Sequence, residues 1–214
     1  MNQRYAWAGG EELLHLLPGN AQDSVIIALP PFEEANRVRA LAATIARDLN
    51  ARGLTVAIPD LPGQGESLIA TADARLTSWR AAFAEAARVL PGRVHGVAIR
   101  AGALTDTDAQ LASRWALSPQ TGALLVRELG RLRQLGGGLI GGNAVGDEML
   151  DELSLAEPAS TGAVRVVRLD SDSQPADRVI DAAPLWRRAE PDNDTALAAL
   201  LADDIAAWIT SCGG

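Results

Sequence analysis

The chain has 214 residues, 48% of them hydrophobic, with a formal net charge of −8 and a pI near 4.8. That is enough apolar material for one sizeable core, so a single domain spanning 1–214 is expected. All 19 basic residues are arginine and they form no block that would track a phosphate backbone, which excludes nucleic acid as an expected partner. No stretch approaches the roughly 18 to 20 apolar residues of a membrane span, and the N-terminus lacks a basic start followed by an apolar run. The lone Cys212 allows no internal disulfide. A cytoplasmic protein without a membrane span is expected.

In chain order, Arg4 to Trp7 and Glu12 to Leu16 around Gly9-Gly10 predict a hairpin. Val25 to Leu29 is a β-branched apolar run stopped by Pro30-Pro31, a buried strand. From Glu33 to Arg52 the residues Val38, Leu41, Ala42, Ile45, Ala46 and Leu49 recur at three- and four-residue spacing, and Gly53 follows, which predicts an amphipathic helix. Leu54 to Ile58 is the next strand. Thr77 to Leu90 predicts a helix capped by Thr77 or Ser78, and Val94 to Ile99, Ala112 to Leu117 and Val164 to Leu169 predict further strands. Gln120 to Gln134 and Asp147 to Leu155 read as helices separated by GGGLIGGNAVG, a small helical cap over about 120–157. Thr195 to Ile209 closes the chain as a helix. Strands alternating with helices imply an α/β fold of three layers around a mostly parallel sheet. Ligands are then expected beyond the strand C-terminal ends, on the loops after Leu29, Ile58, Ile99 and Leu117.

Those loops carry the polar motifs. Pro59 to Ser67 reads PDLPGQGES and resembles the D-x-x-G-x-G-x-S turn after the fourth strand of α/β hydrolases, whose glycines permit tight turns. Ser67 lies outside any strand-turn-helix elbow, so a structural loop serine is expected there rather than a nucleophile. The elbow falls after Val94 to Ile99, and the residue at its turn is Arg100. A guanidinium stays protonated and cannot attack a carbonyl, so this position binds rather than attacks. The only histidines, His15 and His95, lie in the hairpin and inside a strand, and none follows the last strand where the triad order Ser, Asp/Glu, His requires one. His95 is expected to be a packed histidine.

The segments Pro30-Pro31-Phe32-Glu33-Glu34-Ala35-Asn36-Arg37, PDLPGQGES, the Arg100 elbow with Gly102, and Trp115-Ala116-Leu117-Ser118-Pro119 together resemble the exosortase A system-associated hydrolases, type 2. GGNAVGDEMLDEL and Ala183-Pro184-Leu185-Trp186 match more loosely, so the resemblance covers about residues 24–208. It implies an α/β-hydrolase fold, encoded beside exopolysaccharide and protein-sorting genes, with a hydrolase label that comes from the fold. That family tends to carry glycine where this chain has Ala98.

The PPFEEANR loop occupies the place where hydrolases build an oxyanion hole from backbone N–H groups; Pro31 can donate none, which leaves Phe32 or a later residue. Phe32, Glu33, Glu34, Asn36 and Arg100 are the candidate pocket, with Arg100 partly neutralised by Glu33 or Glu34 and holding a small anionic or sugar-like ligand. The plainer alternative is an ion pair plugging a disused site. Gly136 to Gly141 matches G-x-G-x-x-G but follows a helix, so a flexible cap linker is expected instead of a phosphate cradle. Asp106-Thr107-Asp108, Asp170-Ser171-Asp172 and Asp192-Asn193-Asp194 lack the glycine and distal glutamate of a calcium loop and read as solvated turns or helix caps. No metal or cofactor is expected, and the five tryptophans read as core. Three functions remain open: a non-catalytic ligand-binding or accessory protein, a hydrolase activating water with Glu33, Glu34 or Asp60, and a scaffold meeting a protein partner through the cap.

Overall fold

The computed structural model describes residues 1–188 and 190–213. Eight strands, β1 (Asn2–Trp7), β2 (Gly10–Leu17), β3 (Asp23–Ala28), β4 (Thr55–Pro59), β5 (Arg93–Ile99), β6 (Ser113–Leu117), β7 (Val164–Leu169) and β8 (Arg178–Ile180), form one sheet. Its order is β1-β2-β4-β3-β5-β6-β7-β8. The β1–β2 hairpin pairs antiparallel and β2 runs antiparallel to β4, while every pairing from β4 through to β8 is parallel. The chain steps from β3 out to β4 and then crosses to β5 on the other side of β3. The switch point, where loops part and leave a crevice, therefore lies at the C-terminal ends of β3 and β5.

Side chains alternate across the sheet because successive strand residues point to opposite faces. Val25 and Ile27 pack with Val97, Trp115 and Val167 beneath α1 (Glu33–Ala51) and α5 (Thr195–Ser211). Ile26 and Ala28 turn the other way, toward Trp79 and Phe83 of α2 (Leu76–Arg88). The cap consists of α3 (Gly122–Leu135) and α4 (Asp147–Ser154), whose Leu125, Leu129, Met149 and Leu153 join this second cluster. The α1 stripe runs Ala35, Val38, Leu41, Ala42, Ile45, Ala46, Leu49 and ends at Gly53, whose φ of 93° reverses the chain.

Several local readings change. β8 was not expected, because three residues, Arg-Val-Ile, show no period of their own and are fixed by pairing with β7. β5 and β6 are joined without an α-helix; a five-residue 3₁₀ turn, Arg100–Leu104, and an irregular loop suffice. Neither Thr77 nor Ser78 caps α2. The Thr77 N–H instead donates to the Glu152 carboxylate of α4, 3.0 Å away, which ties the cap to the helix beneath it. Asp106 is no solvated turn residue: it is 3% exposed, and burial pushes its carboxyl up to about 6 against the pull of Arg114, whose Nε stands 3.5 Å off. Asp194, by contrast, caps α5 as expected, accepting from Leu197 N–H at 2.9 Å. The Gly136–Gly141 run joins the two cap helices through exposed glycines, anchored by a bridge between Ile140 and Asn143 with Ile140 1% exposed.

One buried carboxylate joins α5 to the far half of the sheet. Asp204 Oδ2 accepts from Trp115 Nε1 (2.7 Å) and Arg165 Nε (2.8 Å), and Oδ1 accepts from Arg165 Nη2 (2.9 Å) and Arg178 Nη1 (2.7 Å). Burial works against its charge, but the hydrogen bonds from Arg165, Trp115 and Arg178 prevail and hold its carboxyl below the usual carboxylate range. A depressed native pKa means stability present above the unfolded value, near 3.9, and lost as pH falls toward the native one. Asp204→Asn is therefore expected to cost about 3 kcal/mol at pH 7. Urea titrations will show that deficit shrinking below about pH 4.

Candidate functional site

Among the described residues three non-glycine residues hold positive φ, and each follows the C-terminal end of a parallel strand: Phe32 (60°) beyond β3, Arg100 (54°) after β5 and Ser118 (44°) after β6. Such conformations cost about 1–3 kcal/mol each and collect where a fold positions functional groups. The elbow turns because Gly102 lies against β3, where an added Cβ would stand 2.4 Å from the Ala28 carbonyl oxygen. Ala98 in place of glycine does not disturb it, since that side chain packs inward at 2% exposure.

At this corner the Arg100 side chain is held on three sides. Nε donates to Glu34 Oε1 at 2.9 Å, Nη2 stands 3.6 Å from Glu128 Oε2, and the guanidinium carbon lies 5.1 Å from the centre of the Trp186 ring. Glu34 is largely buried. Desolvation raises its carboxyl above the ordinary value, and the charge and hydrogen bond of Arg100 only partly offset that. Glu128 is steadied by Gln120 Nε2 at 2.7 Å. Ser118 Oγ and Gln120 Oε1 are buried with no hydrogen-bond partner among the described residues, an unusual residue of unspent polarity beside the elbow.

Of the five candidates, the structure brings four to one cavity of about 290 Å³: Phe32, Glu33, Glu34 and Arg100 line it, together with Glu128 and Trp186. Of the two glutamates that open α1, only Glu34 pairs with Arg100. Glu33 is turned back along α1 to Arg37, 2.6 Å away. Asn36 is not in this cavity; one helical step further on, it faces a second one of about 320 Å³ that Phe32 and Glu33 separate from the first and that Asp60 also lines. Sequence reasoning missed Glu128 and Trp186. Glu128 lies among the Leu125 and Leu129 that α3 buries, and Trp186, read as core, is core at 8% exposure while it also lines the cavity. Its signal was its place in the Pro184-flanked segment, a 3₁₀ turn outside the predicted helices and strands. Trp79 and Trp115 are core at 0% and 1% exposure, and Trp7 and Trp208 are half-buried.

The remaining polar candidates fall elsewhere. Ser67 Oγ donates to Glu12 Oε1 at 2.9 Å and accepts from the N–H groups of Gly63 and Ile69, the bonding of a turn. His95 is 1% exposed against Ser113 Oγ (2.8 Å), and His15 Nε2 is 3.6 Å from Asp60 Oδ2. The loop after β7 offers Asp172, bound to Arg168 at 2.5 Å, and the turn after β8 brings Trp186 to the elbow. Among the described residues no three His, Cys, Asp or Glu side chains converge as metal ligands.

The architecture is that of the α/β hydrolases. A thermophilic esterase from Thermogutta terrifontis superposes with a TM-score of 0.64 at 12% identity over 100% of both chains. Alpha/beta hydrolase domain-containing protein 10 from mouse gives 0.67 at 14% over 99% of each. A thioesterase domain from the curacin biosynthetic pathway gives 0.60 at 15%, covering 97% of this chain and 99% of its own. No family model matches the sequence, and no curated protein does. At these identities the likeness defines the fold, an eight-stranded, mostly parallel α/β-hydrolase sheet with helices on both faces.

Removing the guanidinium leaves Glu34 buried without its partner. Arg100→Ala is expected to lower stability by about 3 kcal/mol near pH 8. Because the Glu34 carboxyl is already raised, its neutral form is the better tolerated one, so the loss grows as pH rises through that pKa and fades below the unfolded value. Urea midpoints of wild type and variant at pH 5 and pH 8 measure it, and Glu34→Gln in the variant background restores the pH 8 midpoint.

Proposed function

We propose that this chain is a non-catalytic ligand-binding protein that holds a small anionic ligand at Arg100, and that it serves as an accessory protein of exopolysaccharide or exosortase systems in the cytoplasm. The observation carrying the binding reading is the Arg100–Glu34 ion pair at the elbow. An arginine there supplies no nucleophile, and the carboxylates chemically able to activate water are each at least partly engaged: Glu34 by Arg100, Glu33 by Arg37, and Asp60 through Oδ2 by the Glu66 N–H at 2.9 Å. The accessory role is supported by the resemblance of PPFEEANR, PDLPGQGES and the elbow to the exosortase A system-associated hydrolases, type 2.

The ligand chemistry comes from the lining. Arg187 reaches the same cavity at its rim and has no carboxylate within ion-pair distance among the described residues, so it and the open side of Arg100 offer two guanidinium groups to one anion. Leu125, Leu129, Leu132 and Ile140 form the opposite wall. A carboxylate with an apolar body satisfies both sides.

The second reading, a hydrolase using Glu34 as base, is favoured by that residue's raised proton affinity. The solved esterases of this fold lend it weight as analogy. A panel of p-nitrophenyl acyl esters, run with wild type, Arg100→Ala and Glu34→Gln, separates the two. The expected result is hydrolysis no faster than buffer in all three, together with saturable binding of aryl and medium-chain carboxylates that Arg100→Ala weakens by about tenfold or more. Turnover by wild type that Glu34→Gln abolishes would establish an enzyme and retire the binding reading.

A further inference from the structure

The second cavity, of about 320 Å³, is assembled from three distant segments: the start of α1, the turn after β4, and the Gly141–Asn143 turn of the cap. Its floor is Asp60, 5% exposed. The turn after β4 is folded down on that carboxylate so closely that a Cβ at Gly65, where φ is 58°, would stand 2.3 Å from it. Only Oδ2 is spent, on Glu66 N–H; Oδ1 accepts no hydrogen bond from the described residues. The same incompleteness recurs around the walls. The side chains of Asn36, Gln64 and Arg39 make no hydrogen bond to the described residues, and Asn143 commits Nδ2 to the carbonyls of Ile140 and Gly141 and leaves Oδ1 open. Phe32 supplies an apolar wall, its ring fixed against Trp79 at a centroid distance of 5.6 Å.

This set of groups selects by charge as well as by hydrogen bonding. The buried Asp60 carboxylate repels an anion. Arg39, with no carboxylate within ion-pair distance among the described residues, repels a cation from the rim. A neutral molecule with several hydroxyls avoids both repulsions and uses every open group, since a hydroxyl both donates to Asp60 Oδ1 and Asn143 Oδ1 and accepts from Asn36, Gln64 and Arg39. The volume lies at the small end of ligand sites, suited to one ring. We infer that this cavity is a polyol site, distinct from the Arg100 cavity, that takes a neutral monosaccharide or cyclitol with its polar edge on Asp60 and its apolar face on Phe32. It is independent of the reading given for Arg100, and either stands if the other falls.

The test is titration of the full chain with glucose, galactose, mannose, ribitol and myo-inositol into the millimolar range. Binding is followed by the side-chain amide resonances of Asn36, Gln64 and Asn143 and the Trp79 indole, with choline and acetate as charged controls. Saturable shifts at these four positions with at least one polyol are expected, and Asn36→Ala and Gln64→Ala, which disturb no internal hydrogen bond, each weaken binding by about fivefold. Three outcomes overturn the inference: no polyol saturates, only a charged control binds, or the shifts gather at the Trp186 indole with both variants unchanged.

Discussion

A guanidinium set into the mouth of a parallel sheet has to be neutralised where it stands, and most of the local architecture follows from that requirement. The backbone leaves Arg100 no alternative direction. Gly102 is pressed on the Ala28 carbonyl, Arg100 is forced into the left-handed region, and its side chain must rise above the strand ends. There it finds Glu34 in the first turn of α1, where the unpaired N–H groups of a helix start favour negative charge. Glu128 stands off a second side and the aromatic face of Trp186 packs on a third. Neither charge is tolerable alone at that depth, so the pair is a structural commitment before it is a binding device.

The strain that this corner stores is borne by the packing on either side. Phe32, Arg100 and Ser118 are all held in unfavourable backbone at neighbouring strand ends, which persists only where surroundings over-determine it. On one face that support is the α1–α5 layer, locked to β6, β7 and β8 through Asp204. On the other it is α2, on which Phe32 rests through Trp79 and to which the cap is tied by Glu152. The cap therefore does more than shade the site; its Gly141 turn and its Glu128 close one cavity each.

How much of this the sequence discloses depends on whether a feature is periodic. The α1 stripe, the β-branched runs of β3 to β7 and the Gly53 stop each express a local rule, and they appear within a residue or two of where they were read. β8 is three residues created by pairing, and the Arg100–Leu104 turn replaces a helix that the strand-turn-helix pattern leads one to expect, so neither is marked locally. In the site, that Arg100 meets a glutamate of the PPFEEANR loop follows from chain order and sheet topology; that it is Glu34 rather than Glu33 is settled only by the geometry. The separation of Asn36 from Glu33 and Glu34 does not, because it turns on which side of Phe32 a helical step falls. Asp106 shows the limit of composition: an Asp-Thr-Asp run looks solvated, yet its first member is buried beside Arg114.

Phe32 and Glu33 form the partition between two cavities of opposite electrostatic character. On one side stand Arg100 and Arg187, with Arg100 tempered by Glu34 and Glu128; on the other the buried Asp60 carboxylate stands with Asn36, Gln64 and Asn143 and with Arg39 at the rim. Because Phe32 lines both, any displacement of it alters both walls and works against its contact with Trp79. Glu33 couples them electrostatically as well. Its Oε1 accepts from Arg37, which lines the Arg100 cavity, while its Oε2 lies 3.1 Å from where a Cβ on Gly141, in the wall of the other cavity, would stand, so its charge is felt on both sides.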